Sequence, residues 1–102
     1  MPQLTCERVQ FYSEADEAAF FRFAKGIEGV TNLTGSSESI LLDLGSQPTD
    51  QSLRDLIALF ERYRIPRASQ LAQFLSDSNK HWFADPQKFW HKKVFDEPTR
   101  HV

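Results

Sequence analysis

The stretch GVTNLTGSSESILLDLG, Gly29 to Gly45, contains two short strand patterns separated by a small polar turn. The first pattern runs from Val30 to Thr34 and the second from Ser39 to Leu44. One side of the second strand carries only isoleucine and leucine, whereas its other side includes serine and aspartate, which is the alternation of a half-buried strand. The stretch therefore predicts a β-hairpin with residues 35–37 as its turn.

A helical pattern precedes the predicted hairpin. Ser13 is a candidate N-cap with Asp16 three residues later, and the pattern ends at Gly26. From the N-cap to one residue past Gly26, apolar side chains recur at helical spacing: Phe20, Phe23, Ala24 and Ile27. The first turn also contains Glu14 and Glu17. We interpret these acids as complements to the helix dipole rather than as a catalytic carboxylate pair.

A second helical pattern follows the hairpin. Thr49 or Asp50 is its candidate N-cap, and the helix is predicted to run to about Arg64 before Pro66 stops it. Its buried stripe consists of Leu53, Leu56, Ile57 and Phe60. Both helices are expected to cover one face of the sheet that contains the hairpin.

Two further segments decide the fold plan. Glu7 to Tyr12 alternates apolar and polar side chains and predicts the first strand. Ser69 to Leu75 fits either a fourth strand or a short helix that begins near Pro66. With the strand, the order of elements is that of a ferredoxin-like βαββαβ fold, an antiparallel sheet with two helices on one face. We therefore predict an α+β fold of this type with an aromatic-rich C-terminal extension.

Length and composition indicate one globular domain. The 102 residues fit a single domain over residues 1–102, with residues 96–102 as a loose tail. Cys6 is the single cysteine, so no intramolecular disulfide can form. The first residues have no basic start and no apolar run of a secretory signal, so we expect none, and no apolar run in the sequence is long enough to span a membrane. We expect a cytoplasmic protein without membrane association.

Side chains with catalytic or metal-binding chemistry form no pattern of a known site. His81, His91 and His101 are ten residues apart, which fits neither a helical zinc pair nor a zinc finger. Cys6 is typical of an inert, buried cysteine in an N-terminal strand. Residues 35–37 lack the lysine and the glycine spacing of a phosphate-binding loop. We therefore predict no catalytic, cofactor-binding or metal-binding residues and no cofactor.

Positive charge is concentrated near the C-terminus. Residues 80–95 carry a net charge of +3, whereas residues 1–79 carry −4 and the last seven residues carry −1. The net charge of −2 for the whole chain gives no general electrostatic case for binding nucleic acid or an anionic membrane. Any electrostatic attraction of an anionic partner is therefore expected at the basic segment.

The segment KHWFADPQKFWHKKVF, Lys80 to Phe95, interleaves large rings with lysines. The pattern favours rings that close the core while the lysines stay in water, because small monomers rarely expose a large apolar patch. Two other interpretations stay open: a protein-binding surface, and a single-stranded nucleic-acid platform, which the absence of arginine disfavours. The candidate protein-binding residues are Trp82, Phe89, Trp90, Lys92 and Lys93.

Several pieces of the C-terminal half occur together in a recognisable combination. They are LIALFERYRIP (Leu56 to Pro66), QLAQF (Gln70 to Phe74), NKHWF (Asn79 to Phe83) and FWHKKVF (Phe89 to Phe95). In this combination the chain resembles a group of short bacterial proteins of unassigned function. The resemblance implies a bacterial origin and a single domain, and it transfers no catalytic residue.

These observations predict a non-catalytic protein-binding module of a bacterial cell. Its partner is expected to be another protein or a second copy of the chain, as for an immunity or inhibitor-type protein. Two alternatives come from other functional classes: a nucleic-acid-binding regulator that uses Lys80 to Lys93, and a small enzyme whose site is assembled across a dimer.

Overall fold

The chain divides into two units, residues 1–66 and residues 67–102. The computed structural model describes residues 2–35 and 38–96. Apart from Asp96, the predicted loose tail lies outside the described residues, as do Ser36 and Ser37 of the predicted turn. The division into units does not test the expectation of one domain over residues 1–102, which stays a prediction.

A three-stranded antiparallel sheet belongs to the first unit. Its strands are β1 (Gln3–Glu7), β2 (Val30–Gly35) and β3 (Ser39–Leu44). β3 lies in the middle of the order β1-β3-β2 and pairs antiparallel with both neighbours. The predicted pairing of residues 30–34 with residues 39–44 is therefore confirmed, and so is the α+β class.

Two helices complete the first unit, α1 (Glu14–Gly26) and α2 (Asp50–Arg62). Their predicted caps are confirmed. Ser13 Oγ accepts a hydrogen bond from the backbone N–H of Asp16 at 3.1 Å, and Thr49 caps α2 in the same way at 3.1 Å. α2 ends two residues before the predicted end.

The core of the first unit lies on one face of the sheet. Leu4 faces Leu42 across β1 and β3, Cys6 faces Ile40, and all four are buried. α1 contacts both β2 and α2. The helices add further buried side chains: Phe20, Ala24, Leu53, Leu56, Ile57, Leu59 and Phe60. The strand alternation thus places the apolar side of β3 in the core, as its sequence predicts.

The first strand lies earlier in the chain than predicted. The strand expected over Glu7 to Tyr12 is wrong in position, because β1 ends at its first residue. Arg8 follows with φ of 56°, a left-handed conformation that interrupts the extended chain. Phe11 packs instead against Phe20 of α1, with ring centroids 5.5 Å apart. The alternation of apolar and polar side chains over residues 7–12 could not distinguish such a ring contact from a strand.

The second unit contains short helical segments. They are a 3-10 helix (Ala68–Phe74), α3 (Lys80–Phe83) and a π-helix (Lys92–Asp96). The 3-10 helix and the π-helix contact each other. None of the helices in the described part of the chain is both long and apolar enough to cross a membrane.

The 3-10 helix replaces the strand predicted over Ser69 to Leu75, so that prediction is wrong and the short helix is correct. Leu71 and Phe74 are both buried and lie three residues apart, which is the repeat of a 3-10 helix. A strand would have placed them on opposite faces. Without a fourth strand there, the ferredoxin-like βαββαβ order is not confirmed.

Candidate protein-binding surface

The aromatic segment of the second unit has buried and exposed rings. Trp82, Phe83 and Trp90 are 6%, 0% and 9% exposed, and Phe95 is half-buried. Phe89, which precedes Trp90 directly, is 64% exposed. The expectation of buried rings is therefore met at both tryptophans, whereas Phe89 faces solvent.

The buried rings pack edge to face. The centroids of Trp82 and Trp90 are 6.0 Å apart at an interplanar angle of 83°, and those of Phe83 and Phe95 are 5.0 Å apart at 67°. Pairs of this kind contribute about 0.5–1.5 kcal/mol each beyond the area that they bury. Phe89 rests on this cluster, because its ring meets Trp90 at 5.1 Å and 81°.

A buried hydrogen bond fixes the orientation of Trp90. Its indole N–H donates to the backbone carbonyl of Phe83 at 2.8 Å. A buried carbonyl that lost this donor would destabilise the fold by about 1–3 kcal/mol. The bond therefore holds the indole of Trp90 against the end of α3. The Phe89 ring packs on this indole.

Asn79 joins the 3-10 helix to α3. It is 3% exposed, its Nδ2 donates to the carbonyl of Phe74 at 2.8 Å, and its Oδ1 accepts from the N–H of Ser76 at 2.9 Å. Its backbone carbonyl accepts from the N–H of Phe83 at 2.8 Å. Because the buried amide has partners at both ends, it can hold this junction in one geometry. The sequence predicts only a turn or a cap at residues 77–79.

We define the Phe89 surface as Phe89 together with Lys88, Lys92 and Lys93. The three lysines are exposed. Lys88 precedes the ring directly, and the other two open the π-helix three and four positions after it. The surface thus combines one exposed aromatic ring with three positive charges.

The structure separates the predicted binding residues into two groups. Trp82 and Trp90 are buried and therefore present little surface to solvent. The exposed group consists of Phe89, Lys92 and Lys93. Lys88 joins this group, although the sequence did not single it out. The sequence signal for Lys88 is its position next to Phe89. This signal can be recognised once Phe89 is known to be exposed.

The histidines, the cysteine and the carboxylates form no metal-binding cluster in the part of the chain that the structure describes. Within residues 2–35 and 38–96, no three His, Cys, Asp or Glu side chains lie close enough to hold a metal ion. His91 Nδ1 lies 3.4 Å from Asp96 Oδ2, and His101 lies outside the described residues. Burial raises the pKa of the Cys6 thiol to about 12. Cys6 is therefore protonated at neutral pH and is not an activated nucleophile.

Comparison of the chain with protein-family models, with curated proteins and with solved structures found no match. The resemblance to a group of short bacterial proteins, and the bacterial origin that it implies, stay predictions.

Proposed function

We propose that this protein is a non-catalytic protein-binding module whose Phe89 surface docks on an acidic partner protein. The observation that carries the proposal is a 64% exposed phenylalanine with three exposed lysines close to it in the chain. The partner would offer an apolar pocket to the ring and carboxylates to the lysines. An immunity or inhibitor-type protein works in this way, because a stable scaffold with a complementary surface is sufficient.

The packing beneath Phe89 supports a binding role. Aromatic anchors dominate many protein interfaces, and an anchor that is held in place before binding loses little conformational entropy. The Phe89 ring meets the buried Trp90 edge-on, and Trp90 is itself held by its hydrogen bond to Phe83. The ring is therefore presented in a defined position.

The lysines determine the kind of partner. A rim of like charges steers an oppositely charged surface into contact and opposes a surface of the same sign. Exposed charges at the edge of an interface mainly affect the association rate, and their effect falls as salt screens them. We therefore expect an acidic partner whose association slows as the ionic strength rises.

The same geometry gives less support to nucleic-acid binding. Platforms for single-stranded nucleic acid stack successive bases on several exposed rings. Trp82 and Trp90 are buried, which leaves Phe89 as the well-exposed ring of the segment. Titration with a single-stranded oligonucleotide at two salt concentrations tests this alternative. Tight binding with a steep salt dependence would favour nucleic acid over an acidic protein.

A peptide-display selection tests the partner chemistry directly. A random peptide library is selected on the wild-type protein, with counter-selection on the Phe89→Ala variant. We expect enriched peptides to combine an apolar residue with aspartate or glutamate, and to lose binding to a Lys92→Glu/Lys93→Glu double variant. Lys25→Glu, an exposed lysine of α1, is the control and should leave binding unchanged.

Three results of the selection would contradict the proposal. The first is a lack of enrichment. The second is enrichment of basic or uncharged peptides, and the third is enrichment of peptides that bind the Phe89→Ala variant as well as the wild type. Each would show that the Phe89 surface does not select an acidic partner.

A second copy of the chain is one acidic partner that has to be distinguished from another protein. Residues 1–66 carry a net charge of −4, which makes them complementary in sign to the Phe89 surface. Sedimentation equilibrium over a range of protein concentrations separates the cases. A dimer that Phe89→Ala dissociates would identify a second copy, whereas a monomer at every concentration would point to a different protein.

A further inference from the structure

A cleft in the first unit gathers three arginines and two tyrosines. It has a volume of about 550 Å³ and is lined by Arg8, Gln10, Tyr12, Asp16, Arg62, Tyr63 and Arg64. Half of the six lysines and arginines of residues 1–66 thus line one cleft, although this unit carries a net charge of −4. The volume lies within the range of small-molecule sites, roughly 300–1,000 Å³.

The cleft is lined by more positive than negative side chains. All three arginines are exposed, and none forms an ion pair with a carboxylate among residues 2–35 and 38–96. Arg62 lies beside Tyr63, with its Cζ 5.9 Å from the ring centroid. The carboxylate that lines the cleft, Asp16, accepts a hydrogen bond from the backbone N–H of Tyr12 at 3.1 Å. The side chains that line the cleft therefore carry a net charge of +2.

Two of these arginines adopt a strained backbone. Arg8 has φ of 56° and Arg64 has φ of 53°, in the left-handed region that favours glycine. Arg64 follows the C-cap of α2, and its N–H donates to the carbonyl of Glu61 at 3.3 Å. The next N–H, from Ile65, donates to the carbonyl of Phe60 at 3.0 Å. This pair of hydrogen bonds is the Schellman ending, in which glycine usually holds the position of Arg64.

The left-handed backbone of Arg8 and Arg64 is relevant to their role. A non-glycine residue in the left-handed region costs stability, and such residues concentrate at binding and catalytic sites. Glycine at either position would form the same backbone with less strain. Arg8 and Arg64 both line the cleft, whereas Arg67, a third arginine with a left-handed backbone (φ of 62°), does not.

We propose that this cleft binds a phosphate monoester. Guanidinium groups pair with phosphate oxygens through two parallel hydrogen bonds, and several of them can offset the double negative charge of the ligand. Tyr12 is 86% exposed, and its hydroxyl donates to Gln10 Oε1 at 3.3 Å. Its ring is available to stack on a planar group that the phosphate carries. The site shares no residue with the Phe89 surface, so the two proposals are tested independently.

Calorimetric titration with phenyl phosphate and with inorganic phosphate, at constant ionic strength, tests the site. We expect phenyl phosphate to bind with a Kd of about 1 mM or lower and inorganic phosphate to bind more weakly. Arg8→Gln should weaken phenyl phosphate binding by about tenfold, since it removes a charged bidentate contact. Arg22→Gln changes an exposed arginine of α1 that does not line the cleft, and should leave the Kd unchanged.

The Arg64→Gly variant separates binding from folding. Because glycine relieves the left-handed strain, we expect the urea midpoint of the variant to rise while its affinity for phenyl phosphate falls by about tenfold. Three results would overturn the proposal: no phosphate binding by the wild type, wild-type affinity in both Arg8→Gln and Arg64→Gly, or an equal loss of affinity in Arg22→Gln. The last result would show a general attraction of anions to positive charge.

Discussion

Trp90→Ala is expected to destabilise the protein far more than Phe89→Ala, although the two residues are adjacent in the chain. Trp90 is 9% exposed and donates its indole N–H to the Phe83 carbonyl. Truncation of a buried ring of this size costs about 3–5 kcal/mol, which includes the cavity that it leaves. Phe89 is 64% exposed, so its truncation removes little buried area and should cost less than about 1 kcal/mol.

A third variant separates the ring of Trp90 from its hydrogen bond. Trp90→Phe keeps an aromatic ring but leaves the Phe83 carbonyl without its donor. We expect a cost of about 1–3 kcal/mol, between the costs of the two alanine variants. A cost as large as that of Trp90→Ala would mean that the hydrogen bond, rather than the buried ring, dominates.

Urea unfolding followed by far-ultraviolet circular dichroism measures these costs, because this signal reports the backbone and not the tryptophan that is removed. A loss of about 3–5 kcal/mol is large against a total stability of about 5–15 kcal/mol. It should also lower Tm by roughly 12 °C or more. Equal costs for the two alanine variants, or a cost below about 1 kcal/mol for Trp90→Ala, would refute the assignment of Trp90 as the buried ring on which Phe89 packs.

Substitutions at Asn79, Cys6 and Arg64, with Ser78 as a control, test other parts of the structure by urea unfolding. Asn79→Ala should cost about 2 kcal/mol because it removes the hydrogen bonds of the buried amide to Phe74 and Ser76, whereas Ser78→Ala at the exposed turn should cost almost nothing. Burial raises the pKa of Cys6 from 9.0 to about 12, so the folded protein keeps a proton that the unfolded chain loses, and stability should fall as pH rises above 9.0. Between pH 8 and pH 10.5 the wild type should lose about 2 kcal/mol more than Cys6→Ala, and identical pH dependence would count against the shift. Arg64→Gly should stabilise α2 by about 0.5–1 kcal/mol through relief of strain, and a lower stability would contradict that reading of its backbone.

The local patterns in the sequence were sufficient for the parts of the fold that depend on neighbouring residues. The alternation of β3, the caps at Ser13 and Thr49 and the apolar stripe of α2 are all formed within a few residues. Each of these signals has a local physical cause, either a side chain that satisfies a backbone N–H or a periodicity that places apolar groups on one side. These elements were therefore predicted correctly.

The remaining features depend on contacts that are distant in sequence. Seven residues with two buried positions fit a strand or a 3-10 helix, and packing decides between them, as it does for Ala68–Phe74. Trp90 is buried with a hydrogen bond to Phe83 and Phe89 is exposed, and composition does not reveal this difference between adjacent rings. The cleft unites Arg8 with Arg62 and Arg64, more than fifty residues apart, so no motif marks it.

The most direct test compares the affinity of a display-selected acidic peptide for the wild type and for Phe89→Ala. It asks whether Phe89 and its lysines, held on the buried ring of Trp90, bind an acidic partner. Fluorescence anisotropy with the labelled peptide gives both dissociation constants, and circular dichroism checks that the variant is folded. We expect Phe89→Ala to weaken binding by about thirtyfold, the loss typical of an interface anchor, with a native spectrum. Equal affinity of the peptide for the two folded proteins would contradict the account.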